Sequence, residues 1–334
     1  MHRHSMRRLC AAAAGLAAVC GIAVPGVAGA VPAARVPARP VAQPARLLAA
    51  SGTALPAAAP GARLWVARYN GPANGNDSPF SVAVSPGGTQ VFVTGFSQGA
   101  RSGSDYATVA YNAATGARLW ARRYNGPANR DDSANSLAVS PGGTRVFVTG
   151  DSQGDRSQQD YATVAYSAAT GARLWAQRYN GPANGDDHAS SVAVSPGGTR
   201  VFVTGSSQGT RSALDLDYAT VAYNAATGAR LWARRYNGPG NGTDSATSLA
   251  VSPGGTQVFV TGDQGVGSGS DYATVAYNAA TGAQLWARRY NGPGNGDDSA
   301  WSVAVSPGGT RVFVTGSSQG ARSAQDYATV AYRP

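Results

Sequence analysis

Residues 116–170 read GARLWARRYNGPANRDDSANSLAVSPGGTRVFVTGDSQGDRSQQDYATVAYSAAT, and this stretch decides the fold. Runs rich in β-branched and aromatic residues lie at 136–139, 145–150 and 161–166, and a further run follows at 174–179 as the pattern restarts. Each is bounded by Gly, Pro, Asn or Asp, which marks short antiparallel strands joined by turns. In SPGGT, Pro141 sets φ and Gly142 or Gly143 can take positive φ; SAATG closes on Gly171.

The stretch is one of five. The string ARLW or AQLW ends at Trp65, Trp120, Trp175, Trp232 and Trp286, with spacings of 55, 55, 57 and 54 residues. The length differences fall in one loop, where a repeat of constant strands tolerates them. The units run over 61–115, 116–170, 171–227, 228–281 and 282–334. Four strands per unit make a propeller blade, so the expected fold is all-β: a five-bladed β-propeller of four-stranded antiparallel blades. The domain begins with a strand of the fourth type at 64–69 and stops after one of the third type at 327–332. A ring results if residues 64–69 supply the outer strand of the last blade, pairing two otherwise open edges.

Upstream of the repeats the composition changes. Arg3, Arg7 and Arg8 precede an apolar, small-residue run over 9–24, and Ala28, Gly29 and Ala30 make a cleavage site. Residues 1–30 are expected to be a signal peptide, and the protein secreted or at the cell surface, with no membrane span after cleavage. Residues 31–60, rich in Ala, Pro and Val without alternation, form an extended flexible linker. Cys10 and Cys20 leave with the leader, so thiol nucleophiles, disulfides and cysteine metal sites are excluded from the mature chain. All 27 basic residues are Arg and all 17 acidic ones Asp; losing the three leader arginines lowers the formal charge from +10 to +7. That permits attraction to anionic polymers without requiring it.

The eleven residues AYNAATGARLW at 110–120, repeated with small changes three times, resemble the tryptophan-docking motif of quinoprotein-like (PQQ-like) propellers. The longer strings DYATVAY, TGARLWARRYNGP and VFVTG resemble the repeats of secreted bacterial β-propellers over residues 61–334. The resemblance implies that Trp120, Trp175, Trp232 and Trp286 dock between blades, with Trp65 in a half-motif. The family's acidic position is here Asn112, Ser167, Asn224 and Asn278. Its cofactor site, with a Glu and vicinal cysteines, has no counterpart in this chain, so no cofactor is expected.

Two polar, Asp-bearing loop types are expected on one face. One carries Asp77, Asp132, Asp187, Asp244 and Asp298 in every unit, and the other the aspartates that precede Tyr. Recurrence in all units favours a structural task, a carboxylate accepting backbone N–H groups at a strand start. Asp132, Asp187 and Asp298 are the calcium candidates, although NGDD lacks the alternating spacing of a calcium loop. Where units differ, ligand preference could be written: candidate binding residues are Trp301 with Asp297, Asp298 and Asn295, then His188, and Arg101, Arg156, Arg211 and Arg322. Trp301 has the form of a sugar-stacking platform. His188 is the only histidine after the leader and reads as a solvent-facing loop residue without catalytic company. The outer-strand arginines, among them Arg122 and Arg123, read as solubilising edge charges.

Together these features point to a secreted, non-enzymatic binding or scaffold module, expected as a monomer, whose partner is an extracellular protein or a glycan. A lectin-like ring for glycan or cell-wall polymer is the first alternative. An enzyme is disfavoured because the carboxylates are spread evenly over five units instead of converging on one pocket. Nucleic acid is not an expected partner, since no open groove interleaves aromatic with basic residues.

Overall fold

Alternating small and β-branched residues fold each unit into hairpins. The computed structural model describes residues 59–210, 215–266 and 269–334, and the described residues contain strands and turns but no helix. The leader and almost all of the linker, with their expected roles, lie outside them. The strands all fall in the larger of two compact units; the smaller, residues 17–66, is described only over 59–66, which form no strand.

Sheet 1 comprises β1 (Asp77–Val84), β2 (Gln90–Gln98), β3 (Ser104–Asn112) and β4 (Arg118–Tyr124), hydrogen-bonded in that order. Sheet 2 repeats it with β5 (Asp132–Val139), β6 (Arg145–Gln153), β7 (Gln159–Ser167) and β8 (Arg173–Tyr179). Sheet 3 holds β9 (Asp187–Val194), β10 (Arg200–Gln208), β11 (Leu216–Asn224) and β12 (Arg230–Tyr236), and sheet 4 holds β13 (Asp244–Val251), β14 (Gln257–Val266), β15 (Gly269–Asn278) and β16 (Gln284–Tyr290). Sheet 5 has three strands, β17 (Ser299–Val305), β18 (Val312–Gln319) and β19 (Gln325–Tyr332). All pairings are antiparallel.

The turns are built as their residues dictate. Gly143 takes φ +65° in SPGGT, and the Ser140 hydroxyl accepts the Thr144 and Arg145 amides at 3.1 and 3.0 Å. In the other turn, Asn112 Oδ1 accepts the amides of Ala114 and Thr115, both at 3.0 Å. A neutral acceptor thus serves where the related motif has an acid.

The core sits between sheets. Phe147, Tyr161 and Trp175 of sheet 2 pack on Val192, Val201, Val203 and Tyr223 of sheet 3, and the same layer recurs between the other neighbours. Innermost strands follow one another as β1, β5, β9, β13 and β17. Trp120, Trp175 and Trp232 are buried, and each indole N–H donates to a carbonyl of the next sheet, at Ala168 (2.8 Å), Ala225 (3.1 Å) and Ala279 (3.2 Å). Trp286 packs on Phe259 and Tyr332, but its buried Nε1 has no partner among the described residues.

The docking layer makes a test of turn geometry. Gly171 has φ +68°, and a Cβ there would lie 2.7 Å from Trp120 Cδ2. Gly171→Ala therefore combines left-handed strain with a clash and is expected to destabilise by about 2–4 kcal/mol. Gly142→Ala, whose Cβ meets nothing within 4 Å, serves as a near-neutral control. Equal urea midpoints for the two variants would contradict this account.

The expected closing strand has no counterpart among the described strands. Residues 64–69 are in no strand, and sheet 5 ends at β19, so no closing strand from the N-terminus completes it in this structure. Every strand pair that does form joins neighbours in sequence.

Candidate functional site

The loop between outer and next inner strand, and the loop between second and third strands, lie together at one end of each sheet. Asn129 and Asn184 hold them there in neighbouring units, each donating to a backbone carbonyl across the pair, at Arg101 (3.1 Å) and Arg156 (2.7 Å). Both arginine residues are exposed, as is Arg322, while Arg211 lies outside the described residues.

The recurring aspartate is the clamp of this end. Asp132 opens β5, is 2% exposed, and accepts the Gly126 amide at 2.6 Å and the Gln153 amide at 3.2 Å. Asp187 takes the Gly181 amide at 2.6 Å, and Asp298 takes those of Gly292 (2.6 Å) and Gln319 (2.9 Å). The three calcium candidates thus have their carboxylates on backbone amides, and no group of three or more metal-ligating side chains occurs among the described residues. Neighbouring Asp131, Asp186 and Asp297 receive the amides of Ser104 (2.8 Å), Gln159 (3.2 Å) and Ser270 (3.2 Å), tying one sheet's loop to the other's.

A second recurring aspartate pairs with an outer-strand arginine. Arg123, Arg178, Arg235 and Arg289 meet Asp105, Asp160, Asp217 and Asp271. Arg122 and Arg234 reach the other way, donating from Nε to Gly171 and Gly282 carbonyls of the next sheet, both at 2.9 Å. These arginines tie strands and sheets together; they are not merely edge charges, because burial leaves carbonyls and carboxylates that a guanidinium fork satisfies.

Two candidate residues stand elsewhere than sequence suggests. His188 lies on β9 and not in a loop; its side chain, 40% exposed, places Nδ1 3.3 Å from Asp151 of sheet 2 and so links two sheets. Trp301 lies on β17 and is 54% exposed. Its counterparts Asn135 and Thr247 donate to carbonyls of the next sheet, at Ala189 (2.9 Å) and Ala300 (2.7 Å). This repeat position faces the following sheet, which places Trp301 on the open side of sheet 5 instead of among the loop aspartates. Asn295 has φ +51° and accepts from Asn291 at 3.1 Å, a turn-forming task.

What the loop end does assemble is a cleft of about 220 Å³ between sheets 1 and 2, lined by Phe96, Ser104, Asp131, Asp132, Ser133, Asp151 and Gln159. Phe96 packs on half-exposed Phe80 at 5.7 Å, so the lining joins an aromatic side chain to carboxylates. Phe96 and Asp151 occupy one repeat position, filled by Ser206, Asp263 and Ser317 in the other units. A comparison of units at that position is the sequence signal for this cleft.

Burial pushes the carboxyls of Asp132 and Asp187 up against the lowering effect of their hydrogen bonds, and that of Asp244 to about 6. The hydrogen bond to Asp151 raises His188, against desolvation. All four groups hold a proton more tightly folded than unfolded. Between the usual 3.8 and about 6 for Asp244, and upward from 6.5 for His188, the folded chain binds more protons, so stability falls as pH rises. The melting temperature is expected to be higher at about pH 5.5 than at about pH 8, and Asp244→Asn to shrink the difference. Scanning fluorimetry across that range checks it; the reverse order would contradict the burial argument.

The family model described as outer membrane protein assembly factor BamB matches residues 105–329. A search of curated proteins finds no match. Among solved structures, hydrazine synthase of Kuenenia stuttgartiensis is similar with a TM-score of 0.53 and 13% identity over 76% of this chain and 62% of that one, so the chain spans under two thirds of its length. The β-propeller domain of the trilobed protease from Pyrococcus furiosus matches with a TM-score of 0.46 and 7% identity, over 76% and 69%. At such identities the likeness is one of fold.

Proposed function

Because the chain belongs to the PQQ-like β-propeller repeat family, we propose that it is an exported, non-enzymatic binding or scaffold module whose five sheets are five blades and whose loop face carries the ligand site. The observation that carries this reading is the cleft between sheets 1 and 2, whose lining combines Phe96 with Asp131 and Asp151. An aromatic side chain beside carboxylates suits a polyhydroxylated ligand, whose ring stacks while its hydroxyls donate. A glycan or cell-wall polymer is therefore the ligand class proposed. The description of the matching family as an assembly factor supports a scaffold role. Binding in preference to catalysis is supported by the engagement of Asp131 and Asp132 with backbone amides. General acid and base work needs carboxyls free to exchange protons with substrate.

The test is binding of the purified chain to arrays of glycans and cell-wall polymers at low and high salt. Saturable binding that survives high salt and weakens at least about tenfold in Phe96→Ala supports the reading. Binding that salt abolishes, or that Phe96→Ala leaves intact, removes the cleft from consideration.

A further inference from the structure

The two ends of the sheets differ in charge. All 17 aspartates stand in the loops described above or at the strand ends that adjoin them, and the SPGGT and AATG turns at the other end hold no acid. On sheets 1 to 3 that turn end carries Arg118, Arg145, Arg173, Arg200 and Arg230. Arg145 and Arg173 flank the last residues of β7, opposite Ser167 and Tyr166, and Arg200 and Arg230 flank those of β11, opposite Asn224 and Tyr223. Successive turns touch, since a Cβ on Gly143 would lie 3.5 Å from Pro86 Cδ and one on Gly198 3.6 Å from Pro141 Cδ. The arginines therefore lie along one continuous arc.

These guanidinium groups are spare. Arg118, Arg173 and Arg230 are exposed and Arg145 and Arg200 half-buried, and none of the five makes an ion pair or a side-chain hydrogen bond among the described residues. The Nε atoms of Arg145 and Arg200 are buried with no acceptor. Arg123, Arg178 and Arg235, by contrast, each lie on an aspartate of their own sheet. A permanently charged fork of donors, without an acceptor in its own protein and at the opposite end from every carboxylate, suits an external oxyanion. Arg145 and Arg173 start from strands two spacings apart, roughly 10 Å, so two such forks can close on one group.

We infer that the turn end of sheets 1 to 3 binds a linear phosphodiester polymer, with its phosphates spaced along the arc. Charge complementarity names the sign of the occupant, and the extended row of forks its linear form. Phosphate fits because it presents oxygens to two guanidinium groups at once. The surroundings disfavour other polyanions. No aromatic side chain of these turns is exposed as a platform for bases. The turn tips are Pro, Gly, Ala and Thr, which give no wedge for a bilayer, and the exposed Leu119, Leu174 and Leu231 stand on outer strands, one to a sheet. Sheet 4 has Gln257 and Gln284 at both arginine positions, so the arc stops there and the fold accepts Gln in either place. The surface lies at the opposite end of the sheets from the cleft beside Phe96, and it does not rest on the reading of that cleft.

The experiment is fluorescence anisotropy of labelled poly(glycerol phosphate) titrated with the purified chain over a series of salt concentrations. The unaltered chain is expected to bind at low salt, with log K falling linearly in log salt. Replacing Arg145, Arg173, Arg200 and Arg230 together by Gln, as sheet 4 already does, should weaken binding by roughly 30-fold or more and flatten the salt dependence at an unchanged melting temperature. Gln257→Arg with Gln284→Arg, which extends the arc, should tighten it. Arg68→Gln with Arg130→Gln removes two exposed charges away from the turns and should change it less than about threefold, which separates a local site from net charge. No binding, or binding that the fourfold variant retains, would overturn the proposal. So would an equal loss per charge in the Arg68 and Arg130 pair, or tighter binding to phosphatidylglycerol vesicles or to an oligothymidylate strand than to the polymer.

Discussion

Trp175→Ala is expected to lower the free energy of unfolding by about 3–5 kcal/mol. The indole is 8% exposed and lies between Phe147 of its own sheet (5.7 Å) and Tyr223 of the next (6.1 Å). Its removal leaves a cavity in the layer that joins sheets 2 and 3, and strips the Ala225 carbonyl of its donor. The loss falls between units, so its effect on cooperativity exceeds that on any one sheet: in a repeat array, neighbour interfaces couple the melting of the units. Trp286→Ala is expected to cost less, because that residue is only partly buried and its N–H makes no bond to be lost. Guanidinium unfolding of both variants, followed by tyrosine and tryptophan emission, measures the difference. Equal midpoints would mean that the indole bond contributes nothing.

Arg178→Met is the second large effect, about 3 kcal/mol, set below the range for fully buried pairs because the arginine keeps some solvent. Its guanidinium donates from Nε and Nη2 to one Asp160 oxygen at 3.1 and 2.7 Å, and from Nη2 to the Ser152 carbonyl at 2.7 Å. A further contact joins Nη1 to the Ser152 hydroxyl. Asp160 is almost fully buried, so removal of the cation strands a carboxylate away from water. Adding Asp160→Asn to Arg178→Met should recover part of the loss, whereas Asp160→Asn alone should destabilise. Such non-additivity is what two groups in direct contact produce. Purely additive effects would mean that the arginine acts only as a surface charge. Arg178→Lys is expected to be intermediate, since an ammonium cannot reach both Asp160 and Ser152 with the geometry of a fork.

The same residues show how far sequence reasoning reaches. Apart from residues 64–69, the strand positions were legible, as were the two glycine turns and the docking tryptophans Trp120, Trp175 and Trp232, because each depends on local chemistry repeated along the chain. The role of Asp132 and its equivalents as amide acceptors at a strand start was legible for the same reason. The Arg178–Asp160 pair was not: eighteen positions separate its members, on adjacent strands whose register only the folded sheet defines. His188 and Asp151 are farther apart still and belong to different sheets. Trp301 was legible as an exception but not as to place, since its position faces the next sheet and sheet 5 is the last.

By itself the sequence determined the class of fold, the repeat, the count of units and the turn chemistry, for these follow from periodicity and backbone preference over a few residues. Tertiary structure alone decided which carboxylates are occupied and where a cleft opens. Those properties depend on how one sheet lies on another, and five near-identical units carry no local signal that distinguishes an end from an interior.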